Sequence, residues 1–246
     1  MAAKPLISPV DADKVSGVSD WAHFFWHLFT ERDTRKLFDA ISSHYDAHAG
    51  GRHAYLKSWQ FLGEYSEAKG LGTLLEAGCG TGLYSEGLEG LATLHGVDLS
   101  SGQLRMAKRK TLDMLLAQGD AGALPYADAS FDALTSFRVL IYFPGRETDF
   151  FREAYRVLKP GGLLFAEPII RVDESAPLGQ KIAYRAGWSV AGAVARLAQV
   201  EFDVPKETGY IVDALRETGF EVGIETRSGA WDGHGLTWDF IVARKR

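Results

Sequence analysis

Leu74-Leu75-Glu76-Ala77-Gly78-Cys79-Gly80-Thr81-Gly82 is an apolar strand that runs directly into a glycine-rich loop. Because Gly78, Gly80 and Gly82 have no Cβ, the backbone can turn sharply after the strand and lie close to a ligand. Twenty residues after Gly78, Asp98 ends the next apolar run, where its carboxylate can accept hydrogen bonds from both hydroxyls of a ribose. The loop and the acid together predict a nucleotide-type cofactor.

The glycine spacing distinguishes two kinds of nucleotide site. A dinucleotide site needs glycines at 78, 80 and 83, which seat a pyrophosphate on a helix N-terminus. Position 83 is Leu, and the pattern of this chain is G-x-G-x-G. The spacing therefore disfavours a dinucleotide.

Four ordered motifs carry a family resemblance. The first, Glu76-Ala-Gly-Cys-Gly-Thr-Gly, resembles the first motif of class I S-adenosylmethionine (SAM) methyltransferases. The others resemble the acidic second motif, the third region and the loop before the fifth strand of that family. They are residues 96–100, residues 119–125 with 130–132, and residues 157–163. The resemblance implies a Rossmann-like α/β fold, a doubly wound seven-stranded sheet with an antiparallel last strand.

The resemblance also implies which residues bind SAM. The matching positions are Glu76, Gly78, Gly80, Gly82, Asp98, Leu99, Asp120 and Ala121, and Arg138 joins them as a candidate because of its place at the end of the fourth strand. In this arrangement the glycine loop lines the methionine part, Asp98 binds the ribose, and Leu99 packs against the adenine ring. Asp120 and the Ala121 amide face the adenine.

Two charged residues of that set have alternative interpretations. Glu76 either helps to hold the methionine amino group, as an acidic residue here does in the family, or caps loop amides at the strand end. Arg138 stands at the end of the fourth strand, where the family generally has an uncharged residue. It meets the SAM carboxylate or an anionic substrate, or it pairs with a surface acid.

Composition narrows the class of partner. A length of 246 residues suits one large α/β domain with additions, and a net charge of −5 argues against nucleic acid. The lone cysteine, Cys79, leaves no disulfide and no zinc pattern, so no metal site is expected. With no signal-peptide core and no run long enough to span a bilayer, we expect a cytoplasmic enzyme acting on a small molecule.

Hydrophobic periodicity divides the chain into three parts. Residues 1–19 suit a mobile tail, 20–70 an N-terminal helical cap, and 71–246 the cofactor-binding domain. Within the last part, strands are expected at 73–77, 93–98, 113–118, 133–137 and 162–167, helices at 83–91, 101–109 and 147–157, and a closing hairpin at 220–227 and 236–243. The insertion 169–206 follows strand five at the edge where ligands bind, so we expect a lid.

A general base is needed for methyl transfer only where the acceptor proton resists leaving. Histidine is the side chain best suited to that task near neutral pH. The catalytic candidates are His44, before the sheet, and His234, in the last loop beside Trp231 and Asp232. Each is also explained by a structural or surface role.

Tyr45 is the third catalytic candidate. The segment 36–46 resembles the stretch before the sheet in ubiquinone/menaquinone-type C-methyltransferases. In related methyltransferases this tyrosine reaches the cofactor pocket, where its ring can attract the sulfonium. Tyr45 equally continues the apolar face of Leu37, Phe38 and Ile41, which suits a core role.

An aromatic surplus suggests the acceptor. The residues are Trp21, Phe24, Phe25, Trp26, Phe29, Trp188, Trp231 and Trp238. They suit a large apolar or aromatic molecule. Alternatively, the first helix buries its aromatic face on the lid or on a second subunit. The second of these possibilities leaves a homodimer open.

The sequence thus predicts a SAM-dependent methyltransferase acting on carbon or oxygen of a small, hydrophobic or aromatic metabolite. One alternative is a SAM-binding fold used for non-methylating chemistry, such as a cyclase or decarboxylase. Another is a non-enzymatic partner module.

Overall fold

The computed structural model describes fourteen parts of the chain. They are residues 27, 31, 33–43, 45–48, 62, 70–85, 88, 90, 92–111, 113–172, 177–198, 200, 208–228 and 236–246. The expected tail 1–19 and the aromatic residues between 21 and 29 lie outside them. Within these parts, no helix has the length and hydropathy needed to cross a membrane.

Seven strands form one sheet. They are β1 (Thr73–Ala77), β2 (Thr93–Asp98), β3 (Leu115–Gln118), β4 (Phe131–Phe137), β5 (Leu158–Val172), β6 (Phe220–Ser228) and β7 (Leu236–Lys245). Their order is β3-β2-β1-β4-β5-β7-β6. Strands β1 to β5 pair in parallel, and β7 is antiparallel to both β5 and β6. This confirms the predicted doubly wound sheet with an antiparallel last strand.

Six α-helices surround this sheet in the described residues. They are α1 (Thr34–Ile41), α2 (Tyr45–His48), α3 (Ser101–Lys110), α4 (Glu147–Val157), α5 (Leu178–Ala198) and α6 (Thr208–Thr218). A short 3₁₀ helix, Leu140–Tyr142, follows β4. The structure does not begin a helix at residue 83 as expected, because residues 83 and 84 lie in a turn. Four positions from 86 to 91 are outside the described parts.

The sheet buries both of its faces. Leu74 and Leu75 are neighbours in β1, yet they belong to two different apolar clusters because successive side chains of a strand point to opposite faces. Phe150 and Phe151 of α4 and Leu215 of α6 fill the Leu75 cluster. Burial on both faces explains why the central strands are nearly continuous apolar runs.

A third apolar cluster joins α1 to the insertion after β5. Leu37 and Ile41 pack with Val200, and Val194 of α5 packs against them. The insertion therefore contacts the N-terminal helices. Its expected role as a lid, like the predicted domain boundaries, stays a prediction.

Candidate functional site

A cleft opens at the carboxyl ends of β1, β2 and β4, where the strand order reverses. Ligands of doubly wound sheets bind at such a reversal. The predicted residues that line it are Tyr45, Gly78, Gly80, Asp98, Leu99, Asp120, Ala121 and Arg138. The sequence pattern and the topology thus select the same place.

Gly78 shapes the loop after β1. Its φ is +75°, and a Cβ there would lie 2.3 Å from Cγ2 of Val139. The amides of Gly78 and Cys79 both donate to the Val97 carbonyl, at 2.8 and 3.0 Å. The loop is therefore tied to β2, and only glycine fits at its first position.

Asp98 stands at the end of β2 and faces this loop. Its carboxylate accepts from the amide of Gly80 at 2.8 Å and from the amide of Ser100 at 2.9 Å. Burial raises the pKa of the Asp98 carboxyl, although these two amides oppose the shift. Each oxygen retains a second lone pair, which a ligand hydroxyl can use.

Glu76 and Gly82 do not line the cleft. Glu76 is only 2% exposed, and its carboxyl accepts from the Ser85 hydroxyl. Burial, followed by the nearby charge of Asp98, raises the pKa of Glu76 to about 8. A Cβ on Gly82 would lie 3.3 Å from the Cβ of Ala107, so this glycine permits close packing on α3. Contact of either residue with the cofactor stays a prediction.

Asp120 faces the cleft from the loop after β3. It accepts from the Gly122 amide at 2.8 Å and pairs with Arg146 at 3.2 Å. The Arg146 guanidinium lies 5.7 Å from the centre of the Phe143 ring. Because Asp120 and Arg146 are both partly exposed, the pair adds little stability.

An aromatic wall closes another side of the cleft. It consists of Phe38, Tyr45 and Tyr142, with ring centres of Phe38 5.8 Å from Tyr45 and 5.1 Å from Tyr142. Burial raises the pKa of the Tyr142 phenol, and the adjacent Tyr45 adds to the shift. Tyr45 also packs against Leu37 and Ile41. Tyr45 therefore both lines the cleft and packs in the apolar cluster, and its contact with the cofactor stays a prediction.

Arg138 lines the cleft in an unusual backbone conformation. Its φ is +58°, and Ala129, at +52°, is the other non-glycine residue with positive φ in the described chain. The left-handed region costs an ordinary side chain about 1–2 kcal/mol. The positive charge of Arg138 opposes the rise in the pKa of the Tyr142 phenol that burial causes.

Several cleft residues were not predicted. The main ones are Thr34, Phe38, Gln103, Val139, Tyr142, Phe143 and Arg146. The segment 139–143 had a sequence signal, since it follows a strand at the ligand edge. Phe38 lies in the segment 36–46 that carries a family resemblance, but Thr34 had no signal, because it reaches the cleft only through the packing of α1 on α3.

The remaining catalytic candidates, His44 and His234, lie outside the described residues, together with Trp231 and Asp232. Their roles stay predictions. In the part of the chain that can be inspected, no cluster of His, Cys, Asp and Glu is arranged to hold a metal ion.

Comparisons with known proteins agree with this geometry. Residues 75–166 match the family described as Methyltransferase domain. Erythromycin 3''-O-methyltransferase of Saccharopolyspora erythraea is 29% identical over 234 residues, which cover 82% of this chain and 74% of the relative. Demethylmenaquinone methyltransferase of Beutenbergia cavernae is 28% identical over 167 residues, or 66% of each protein.

Solved structures show the same fold. A SAM-dependent methyltransferase of Thermotoga maritima superposes with a TM-score of 0.58 at 22% identity, covering 90% of this chain and 100% of the other. The [4+2]-cyclase SpnF also superposes, with a TM-score of 0.54 at 19% identity, covering 77% and 80%. The strand order, the glycine loop, the domain match over residues 75–166 and the sequence relatives agree in their similarity to class I SAM-dependent methyltransferases.

Proposed function

We propose that the cleft binds SAM and that the chain transfers its methyl group to carbon or oxygen of a small, hydrophobic or aromatic metabolite. One observation carries the proposal. The cleft unites the Gly78 loop, Asp98 and Asp120 with an aromatic wall at the reversal of the sheet. Cofactor-binding groups and an apolar surface thus share one space.

The groups that line the cleft support one placement of the cofactor. Gly78 and Gly80 would hold the methionine part, and Asp98 would accept hydrogen bonds from the ribose hydroxyls. Leu99 would pack against the adenine ring, and Asp120 and the Ala121 amide would face its edge. Arg138, near the loop at the end of β4, pairs with the SAM carboxylate.

Catalysis rests on alignment and on the exclusion of water. The acceptor atom must lie in line with the bond between sulfur and methyl, and holding it there supplies much of the acceleration. Phe38, Tyr45 and Tyr142 form the apolar surface suited to that task. The electron-rich ring of Tyr45 attracts the sulfonium. His44 or His234 serves as base where the acceptor carries a firmly held proton.

The acceptor class has two lines of support. The aromatic wall favours a hydrophobic or aromatic molecule over a charged polymer, and the net charge of −5 argues in the same direction. The relatives are named for an O-methyltransferase acting on erythromycin and a methyltransferase acting on demethylmenaquinone. Both names describe small-molecule chemistry.

Replacement of Asp98 tests the cofactor placement. We expect D98A to weaken SAM binding by about tenfold to a hundredfold, because a hydrogen bond to a charged group contributes about 1.5–3 kcal/mol. Isothermal titration of SAM measures this. D113A, at an exposed acid outside the cleft, is the matched control and should bind like the unaltered chain. Equal affinities of D98A and the unaltered chain would overturn the placement.

A further inference from the structure

Asp39 of α1 reaches across to the loop that carries Asp98. One oxygen of its carboxylate accepts from the Ser100 hydroxyl at 2.7 Å and from the Gly102 amide at 2.6 Å. Ser100 is the N-cap of α3, and its own amide donates to Asp98. Ser100 therefore links Asp39 to the carboxylate of Asp98, which is proposed to bind the ribose.

The contact between α1 and α3 is close. A Cβ on Gly102 would lie 2.9 Å from the Ser42 hydroxyl and 3.0 Å from the Asp39 backbone. The Gln103 amide group donates to the Phe38 carbonyl at 3.3 Å. Burial raises the pKa of Asp39, but hydrogen bonds from Gly102, Ser100 and Ser101, together with the charge of Arg105, leave it below its usual value. A charged carboxylate suits a helix N-terminus.

Asp46 of α2 makes the equivalent contact with the glycine loop. Its carboxylate accepts from the Thr81 hydroxyl at 2.5 Å and pairs with the Lys110 ammonium. Lys110 also donates to the Thr81 hydroxyl at 3.1 Å. Thr81 stands between Gly80 and Gly82 and is only 1% exposed. Asp46 therefore holds the loop proposed to carry the methionine part.

The two aspartates occur in a repeated pattern. Phe38-Asp39 and Tyr45-Asp46 are aromatic–Asp pairs seven residues apart. In each pair the aromatic residue lines the cleft and the aspartate bonds to a cofactor loop. The same short segment thus supplies part of the aromatic wall and fastens it to both loops.

We propose that Asp39 and Asp46 are positioning residues that clamp the N-terminal helices over bound SAM. The clamp holds Phe38 and Tyr45 in place, so the cofactor leaves only when the helices lift. This inference rests on the proposed function, since it needs SAM in the cleft. Its consequence is kinetic: weakening the clamp accelerates dissociation of the cofactor or of its product, S-adenosylhomocysteine.

Stopped-flow measurement of S-adenosylhomocysteine dissociation from the full chain tests the clamp. We expect D39A and D46A each to increase the dissociation rate at least tenfold, and the milder D39N and D46N to increase it less. D33A is the matched control. Asp33 caps α1 by accepting from the Lys36 amide, so D33A weakens the same helix without touching a cofactor loop. Its dissociation rate should stay within twofold of the unaltered chain, while urea unfolding registers any loss of stability.

A second pair of variants tests the clamp from the opposite side. K110M removes the partner of Asp46 and should reproduce the effect of D46A. K108M, at an exposed lysine of the same helix, should not. Unchanged dissociation in D39A, D46A and K110M would overturn the clamp, as would equal acceleration in D33A. Failure of the unaltered chain to bind SAM would instead contradict the proposed function, and the clamp with it.

Discussion

Glu76 is the penultimate residue of β1, and burial excludes water from its carboxyl group. A buried carboxyl without a cationic partner favours its neutral form. Arg138, at the end of the adjacent strand, holds a backbone conformation that arginine rarely adopts. Arg138 lines the cleft proposed to bind the cofactor, and Glu76 lies two residues before Gly78 of the glycine loop. Strain and shifted pKa values concentrate at functional sites.

The raised pKa of Glu76 makes stability depend on pH. The folded chain keeps a proton up to about pH 8, whereas the unfolded chain loses it near the ordinary value of 4.5. Stability therefore falls as pH rises through this window, by up to about 1.4 kcal/mol per pH unit. The side chain of E76Q stays neutral at every pH. The free energy of unfolding of E76Q should therefore increase relative to that of the unaltered chain between pH 5 and pH 8. Urea unfolding at both pH values checks this, and parallel pH curves would contradict it.

Two glycine substitutions distinguish the effect of the strained backbone at Arg138 from the effect of its side chain. R138G and the control A129G should each raise the free energy of unfolding by roughly 0.5–1 kcal/mol, because glycine adopts positive φ without strain. Only R138G removes the guanidinium. We expect a weakening of SAM binding by about tenfold in R138G and no change in A129G. If calorimetry gives R138G full affinity for SAM, the proposed pairing with the carboxylate is wrong.

At the scale of elements, the regular part of the fold is predictable from local patterns. The bounds of β1, β2 and α4 match the expectation, because apolar periodicity and glycine loops mark them. Strand β5 begins at Leu158 rather than at 162. The proline and glycines between these positions indicate a loop, but pairing with β4 extends the strand back to Leu158. The packing of α1 on α3 joins residues about sixty positions apart, and no local pattern encodes it.

The loop after β1 should tolerate no side chain at its first position. G161A, where φ is +79° and no atom lies within 4 Å of an added Cβ, measures conformational strain alone, about 1–2 kcal/mol. G78A should cost at least twice as much because its Cβ also meets Val139. Pairing G78A with V139A removes that clash and should recover part of the loss. Urea unfolding of the three variants checks this, and equal costs for G78A and G161A would contradict it.

Over the described part of the molecule, the N-terminal helices contact both the segments that follow β1 and β2 and the insertion after β5. Asp39 and Asp46 fasten them to the loops, and the Leu37 cluster packs them against Val194 and Val200. The described residues of the insertion do not line the cleft, and several apolar side chains of α5 are exposed: Leu178, Ile182, Val190 and Leu197. The lid and the homodimer both remain predictions, since the aromatic residues near 21–29 lie outside the described chain.

Transfer of a labelled methyl group tests the central claim most directly. Purified full chain would be mixed with methyl-deuterated SAM and an extract of host metabolites, and both the products and S-adenosylhomocysteine would be quantified by mass spectrometry. The proposed function predicts a metabolite that gains the deuterated methyl group, in equal amount with S-adenosylhomocysteine. A metabolite transformed without label, while SAM is not consumed, would contradict methyl transfer and favour a cyclase or decarboxylase on the same fold.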